Sequence, residues 1–108
     1  MFRQSLLFLF LFVGAFGLYA QTSLEGLVTD EENGEPILFG SVALFKNNVL
    51  ITGTETDFDG NYSFSDMDPG TYAVEFSYVG YQTQRIEDVV VFAGKSNRLN
   101  AKLSSGSG

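Results

Sequence analysis

The stretch "TETDFDGNYSFSDMDPGTY", residues 54–72, contains the turn signals that decide the fold. Its Asp59-Gly60 pair lies between two segments in which apolar and polar residues alternate. This arrangement predicts a β-hairpin, because glycine adopts a positive φ without steric cost. Asp57 can accept a hydrogen bond from the backbone N–H two residues on, which would tighten the loop as an Asx turn. The stretch therefore predicts a strand, a turn and a second strand.

The same stretch has oxygen-bearing side chains at every second position, which suggests a calcium site as an alternative. Asp57, Asp59 and Asn61 would occupy positions 1, 3 and 5 of a helix–loop–helix calcium loop. That loop also needs a glycine at position 6 and a bidentate glutamate at position 12, where this chain has Tyr62 and Asp68. A structural turn accounts for more of the residues. We therefore expect no cofactor, and a Ca²⁺ site at Asp57, Asp59 and Asn61 stays open as the alternative.

Short strand-like segments separated by turn signals continue through residues 21–103. Pro69 and Gly70 stand at the second and third positions of a predicted type II turn. The strand that follows places alternate residues on one side, namely Tyr72, Val74, Phe76 and Tyr78. Gly80 ends that strand. About seven such strands, each with one polar side, predict antiparallel sheets packed face to face. The predicted fold class is an all-β, seven-stranded antiparallel sandwich.

The two ends of the chain differ from this pattern. Residues 1–20 have one positive charge, Arg3, then an apolar run, and they end in the small residue Ala20. This is the pattern of a cleaved secretory signal peptide, since the run is shorter than the ~20 residues of a membrane-spanning helix. An uncleaved N-terminal anchor is the alternative. Residues 21–103 would then form the domain, and residues 104–108, "SSGSG", a flexible tail of linker composition.

Composition limits the chemistry that the exported part could perform. Removing residues 1–20 of 108, which include Arg3, leaves 88 residues with five Lys and Arg against thirteen acids, a net charge of −8. Such a balance opposes binding to nucleic acid or to an anionic membrane surface. The chain has no His and no Cys, so the usual general base, thiol nucleophile and zinc ligands are missing. We expect no catalytic residues and no enzymatic activity.

The aromatic residues in the second half of the chain could either fill the core or form a platform for stacking on carbohydrate. They are Tyr62, Phe64, Tyr72, Phe76, Tyr78 and Tyr81. All but Tyr81 lie on the alternating side of a strand, where core packing explains them. Tyr81 follows Gly80, and Phe45 is out of phase with Val42 and Leu44. We expect Phe45 and Tyr81 to be exposed and to contact a partner.

The turn and core residues occur in an order that resembles the carboxypeptidase regulatory-like domain, over about residues 22–103. The matching positions are Gly26, Val28 and Asp30; Pro36, Ser41 and Val42; Thr54, Thr56, Asp57, Asp59, Gly60, Tyr62 and Phe64; Pro69, Gly70 and Tyr72; and Gly80 and Tyr81. The resemblance implies a transthyretin-like β-sandwich. It also implies that these positions serve turns and the core, and that none of them is catalytic.

Within this family the sequence looks like the module at the N-terminus of SusC-like TonB-dependent outer-membrane transporters. The resemblance implies a non-catalytic accessory module in the periplasm or at the outer membrane of a Gram-negative cell. Its partner would be a neighbouring domain, the transporter or an energy-coupling component, with no nucleic acid and no membrane span after signal cleavage. The chain would be the N-terminal part, or a stand-alone or truncated relative, of such a transporter. The alternative is a cell-surface module that binds carbohydrate or calcium, which an exposed flat row of aromatic side chains would indicate.

Overall fold

A computed structural model describes residues 21–106, in which all the regular structure is β-strand. The strands are β1 (Ser23–Asp30), β2 (Ser41–Lys46), β3 (Val49–Glu55), β4 (Asn61–Phe64), β5 (Gly70–Ser77), β6 (Gln84–Val91), β7 (Ser96–Arg98) and β8 (Ala101–Leu103). Nothing in this part of the chain is a helix of the length and apolarity needed to cross a membrane. The predicted signal peptide, residues 1–20, lies outside the described residues.

The strands form two four-stranded sheets, which confirms the predicted all-β sandwich. In sheet I, β1 is central: β4 pairs with one edge of it, and β7 and β8 pair with the other. In sheet II the order is β3-β2-β5-β6 and every pair is antiparallel. Within residues 21–106, the edges of sheet II are therefore β3 and β6, and the edges of sheet I are β4 on one side and β7 and β8 on the other.

The core lies between the two sheets and follows the period-two pattern of the sequence. On β1 the inward residues Leu24, Gly26, Val28 and Asp30 are buried, while the residues between them are partly exposed. The buried apolar cluster also contains Ile37, Val42, Leu44, Tyr62, Phe64, Tyr72, Val74, Phe76, Val91, Ala101 and Leu103. Four of the six aromatic residues that could have formed a stacking platform are thus core residues, as predicted: Tyr62, Phe64, Tyr72 and Phe76.

The connection between β2 and β3 is a tight hairpin turn. Asn47 and Asn48 connect the strands and have φ values of 52° and 62°. Two successive residues with positive φ are the requirement of a type I′ turn, which asparagine tolerates better than most residues. The register shifts by one residue between Leu44 and Phe45, so that Ile51 is the extra residue of a bulge in β3.

Residues 96–103 form two short strands, β7 and β8, which run parallel to β1, whereas the strands of the predicted sandwich were all antiparallel. Leu99 and Asn100 separate β7 from β8. The Leu99 carbonyl oxygen accepts a hydrogen bond from the Tyr62 hydroxyl at 2.5 Å, and the Asn100 side chain accepts one from the Leu27 N–H at 2.9 Å. The backbone pairing with β1 is interrupted here because the Leu99 carbonyl points to the Tyr62 hydroxyl. The side-chain oxygen of Asn100 accepts the hydrogen bond from the Leu27 N–H in its place.

The predicted hairpin at Asp59-Gly60 is wrong, although the turn itself is present. The strands on either side of the turn belong to different sheets, because β3 pairs with β2 and β4 pairs with β1. The turn signal is local, whereas the choice of partner depends on strands distant in sequence. The connection therefore passes from one sheet to the other.

Two further predictions about β5 are wrong. Gly70 has a φ of 157° and pairs with Val91 as the first residue of β5, whereas a type II turn needs a φ near +80° at this position. The extended strand thus begins immediately after Pro69. Tyr78 is 40% exposed, because β5 ends at Ser77 and the chain then turns.

Residues 104–106, predicted as the start of a flexible tail, are bonded to the turn that follows β5. The Gln82 N–H donates to the Ser104 carbonyl at 2.9 Å, and the Gly106 N–H donates to the Gly80 carbonyl at 2.8 Å. The Ser104 hydroxyl also donates to the Glu31 carboxylate. The ordered domain therefore extends to residue 106, and residues 107 and 108 lie outside the described part.

Candidate interaction surfaces

The Asp57 loop is organised by hydrogen bonds to its own backbone. Oδ1 of Asp57 accepts from the N–H groups of Asp59 and Asn61, both at 2.9 Å, which is the Asx-turn geometry. Gly60 has a φ of 81°, and a Cβ there would lie 2.8 Å from the Val28 carbonyl oxygen. Glycine is thus required at this position by both conformation and space.

No calcium geometry accompanies this loop. Among residues 21–106 there is no group of three or more His, Cys, Asp or Glu side chains placed to hold a metal ion. One oxygen of Asp57 is already used by the turn, and Asp59 and Asn61 are exposed. The expectation of no cofactor therefore stays a prediction, with a Ca²⁺ site at Asp57, Asp59 and Asn61 as its alternative.

Phe45 is half-buried on the outer face of sheet II, so the prediction that it is exposed is wrong. The Arg85 guanidinium lies over its ring, 4.5 Å from the centroid. Arg85 also forms ion pairs with Glu87 at 2.6 Å and Glu75 at 3.1 Å, and these carboxylates raise its pKa. The aromatic ring therefore supports an ion-pair network, and partner contact at Phe45 stays a prediction.

Tyr81 is also half-buried, contrary to prediction, and it packs against the core. Its hydroxyl donates to Oδ2 of Asp30 at 2.6 Å, while Oδ1 of Asp30 accepts from the N–H groups of Glu32 and Asn33. The bond from Tyr81 lowers the pKa of Asp30 and in turn raises the pKa of Tyr81. Tyr81 thus ties the turn after β5 to the end of β1, and its contact with a partner stays a prediction.

The aromatic side chains of the described residues do not form a flat row. The rings of Tyr78 and Tyr81 are 6.0 Å apart and tilted by 38°. Phe39 and Phe58, which are both exposed, meet edge to face at 76°. The feature that would indicate a carbohydrate platform is therefore not observed in residues 21–106.

One exposed apolar surface that the sequence analysis missed is the edge of β3. Val49, Leu50 and Ile51 are 62%, 58% and 52% exposed, although they are consecutive residues of a strand. Three adjacent apolar residues break the alternation that a half-buried strand would show. That break in the pattern is the signal from which the exposed edge could have been predicted.

A second missed surface is formed by two phenylalanines from different loops. Phe39 precedes β2 and Phe58 lies between β3 and β4; their ring centroids are 5.0 Å apart, and the side chains are 50% and 73% exposed. An open groove of about 540 Å³ adjoins this loop through Asp57, the residue before Phe58; its other lining residues are Glu25, Thr54, Glu55, Asn61, Tyr62 and Ser63. The only sequence signal was an aromatic residue, Phe58, placed between two aspartates in a turn.

Comparison with known proteins assigns the fold to a family. A sequence profile described as the carboxypeptidase regulatory-like domain matches residues 23–104. The chain belongs to this family. The matched residues of this carboxypeptidase regulatory-like domain include all eight strands and the turn at Asp57.

The relatives of this domain are much longer proteins. The domain is 35% identical over 85 residues to TonB-dependent receptor P3 of Formosa agariphila, which covers 78% of this chain and 8% of the receptor. It is 36% identical over 78 residues to TonB-dependent receptor SusC of Bacteroides thetaiotaomicron, covering 72% of this chain and 7% of the receptor. The chain thus spans less than a tenth of the length of either receptor.

The fold also occurs in proteins of low sequence identity. A minor pilin of Streptococcus agalactiae superposes with a TM-score of 0.63 at 16% identity, covering 83% of this chain and 47% of the pilin. At this identity the likeness concerns the fold of the carboxypeptidase regulatory-like domain alone.

Proposed function

We propose that the chain is a non-catalytic, exported interaction module of a SusC-like TonB-dependent outer-membrane transporter. It is the N-terminal periplasmic part of such a transporter, or a stand-alone or truncated relative. Receptors of this class align with most of the domain but with only 7–8% of their own length. A segment of that relative size supports an accessory role, with transport carried by other parts of the protein.

The exposed edge of β3 is the observation that carries a role in protein contact. Within residues 21–106, β3 pairs only with β2, so the backbone groups on its other side have no strand partner in this part of the chain. Its residues 49–54, "VLITGT", contain no charge, whereas exposed edges are commonly protected by charged residues. An uncharged edge with exposed apolar side chains can accept a neighbouring strand or an apolar surface.

The cellular setting is tested by fractionating the envelope of cells that encode this chain. An antibody against residues 21–106 is used to detect the polypeptide in cytoplasmic, periplasmic, outer-membrane and medium fractions. We expect the signal in the outer-membrane fraction, or released from it with a transporter, and a mature N-terminus at Gln21. Recovery only from the cytoplasm or only from the medium would contradict the proposal.

Contact through β3 is tested by site-specific photo-crosslinking in the same cells. A photoreactive amino acid replaces Leu50 on β3, and a matched control replaces Val90, which is 49% exposed on the opposite edge strand β6. We expect a discrete product containing transporter sequence from position 50 and not from position 90. Equal products from both positions, or none from position 50, would show that this edge is not the contact.

A further inference from the structure

The exposed pair Phe39–Phe58 is held in place by buried hydrogen bonds. Thr56 is 2% exposed, and its hydroxyl accepts from the Gly40 N–H at 2.8 Å and donates to the Ile37 carbonyl at 2.6 Å. The Phe39 N–H donates to the Thr56 carbonyl at 3.1 Å. The two rings are therefore presented to solvent by an ordered loop.

The backbone at Phe39 adopts a conformation that is unfavourable for an aromatic residue. Its φ is 58°, in a region that bulky L-residues rarely occupy. The result is that Phe39 contacts Phe58 at the surface instead of entering the core. An apolar pair kept at the surface against both strain and the hydrophobic effect points to a binding role.

Charges beside the pair indicate which partner would fit. Phe58 is flanked by Asp57 and Asp59, and the adjoining groove is lined by the carboxylates of Glu25, Glu55 and Asp57. No Lys or Arg is among its lining residues. Both ion pairs found within residues 21–106 belong to Arg85, on sheet II. Glu25 is paired in register with Arg98 of β7, and none of the groove acids forms an ion pair within residues 21–106. The field of Glu55 and Asp57 therefore favours a cationic ligand.

The walls of the groove favour an extended ligand. One wall is the end of β3, with Thr54 and Glu55, and the other is β4, with Asn61, Tyr62 and Ser63. These strands are the facing edges of different sheets and are not paired with each other. An extended peptide can therefore lie along the opening and place alternate side chains on its two sides.

We propose that the Phe39–Phe58 pair and the adjoining groove dock an extended, basic segment of a protein partner. Apolar side chains of that segment pack on the two phenylalanine rings, and its lysines or arginines meet Glu55 and Asp57. Cations also bind favourably over aromatic faces. This inference deepens the proposed function, on which it rests, by giving the chemistry of one partner. It concerns a surface distinct from the apolar residues 49–51 of β3.

The test uses a short, glycine-spaced peptide of alternating lysine and leucine as the probe, with glutamine in place of lysine as its control. The chain is expressed with its own residues 1–20 in a Gram-negative host, purified from the periplasm, and titrated by ¹⁵N NMR. We expect saturable shifts at residues 36–40 and 54–61 with the lysine peptide, weakened by added salt. The glutamine peptide should bind at least about tenfold more weakly.

Matched variants separate a specific surface from the general acidity of the domain. Phe58→Ser should weaken binding at least about tenfold, since buried aromatic anchors dominate such contacts. Phe92→Ser, which changes another exposed phenylalanine, should leave it unchanged. The double variant E55Q/D57N, which keeps an oxygen acceptor for the Asx turn, should also weaken binding. D66N/D88N removes two charges elsewhere, at positions whose positive φ asparagine tolerates, and should have little effect.

Three results would overturn the inference. They are no saturable binding of the lysine peptide, shifts centred outside residues 36–40 and 54–61, and equal losses from E55Q/D57N and D66N/D88N. Because the crosslinking at position 50 does not use these residues, it can succeed when the peptide test fails. The reverse outcome would show that the edge of β3 is not the contact and would leave the docking surface in place.

Discussion

The Tyr62 hydroxyl donates to the Leu99 carbonyl oxygen at 2.5 Å and thereby joins β4 to the break between β7 and β8. The bond passes beside Gly26 on β1, which is paired with Tyr62. Burial of the phenol raises the pKa of Tyr62, so the hydroxyl stays protonated and able to donate. Three strands of sheet I thus meet at one point.

Replacing Gly26 by alanine should strongly destabilise the domain. A Cβ at this position would lie 1.8 Å from the Leu99 carbonyl oxygen and 2.9 Å from Cε1 of Tyr62. Backbone on one side and a buried ring on the other cannot both move away, so we expect a loss of more than about 3 kcal/mol in the free energy of unfolding. Urea denaturation of the two proteins measures this loss in the free energy of unfolding.

Gly53→Ala is the matched control for this substitution. Gly53 lies on the edge strand β3, and the nearest atom to an added Cβ there is the Val42 carbonyl oxygen, at an ordinary 3.5 Å. We expect a change of less than about 0.5 kcal/mol. Similar effects at both glycines would contradict the steric explanation for Gly26.

The Tyr62 hydroxyl should contribute separately from its ring. Tyr62→Phe keeps the packing but leaves the Leu99 carbonyl without its donor, and we expect a loss of about 1–2 kcal/mol in the free energy of unfolding. Tyr78→Phe removes a hydroxyl from an exposed tyrosine and should change stability by less than about 0.5 kcal/mol. No difference between the two variants would show that the hydroxyl bond is not stabilising.

Thr56 should be sensitive to loss of its hydroxyl and tolerant of loss of its methyl group. Thr56→Val keeps the shape but leaves the Gly40 N–H and the Ile37 carbonyl without the partner that each now has. We expect a loss of about 2 kcal/mol or more. Thr56→Ser keeps both bonds and should lose about 1 kcal/mol through the missing methyl group. If packing, and not hydrogen bonding, held the Phe39 loop, Thr56→Ser would destabilise the domain more than Thr56→Val.

The bond between Tyr81 and Asp30 predicts a specific dependence of stability on pH. The pKa of Asp30 is lowered from its ordinary 3.8, mainly by the Tyr81 hydroxyl, so its contribution is present above about pH 3.8 and is lost as pH falls through the folded-state pKa. The pKa of Tyr81 is raised from 10.0, mainly by the bond to Asp30. Its contribution is therefore present below pH 10 and is lost as pH rises through the raised value.

The measurement compares the chain with Tyr81→Phe by urea denaturation across pH 2–11. We expect the stability difference between the two proteins to be largest between pH 5 and 9, and to shrink at both extremes. A difference that is constant across this range would show that Tyr81 stabilises the domain through packing alone.

The sequence predicted the fold class and much of the core because period-two alternation is a local property. β1 shows this alternation over its whole length. The crossing between sheets after β3 could not be predicted, since Asp59-Gly60 specifies a turn and not the partner of the next strand. The parallel pairing of β7 and β8 with β1 is likewise set by strands of only three residues, too short to show a pattern.

The candidate surfaces were harder to predict than the core. Phe45 was expected to be exposed because it is out of phase with the apolar residues before it. Tyr81 was expected to be exposed because it follows Gly80, which ends the preceding strand. The structure instead places Phe45 under a guanidinium and ties Tyr81 to a carboxylate. Phe39 and Phe58 are nineteen residues apart in sequence, and their contact depends on the loop conformation that Thr56 holds. No local pattern contains that information.

The most direct test of the proposed function is mass-spectrometric identification of what crosslinks to position 50 in intact cells. The account predicts peptides of a TonB-dependent outer-membrane transporter in the product from position 50 and their absence from the product at position 90. A product from position 50 that contains only cytoplasmic or secreted proteins would contradict it.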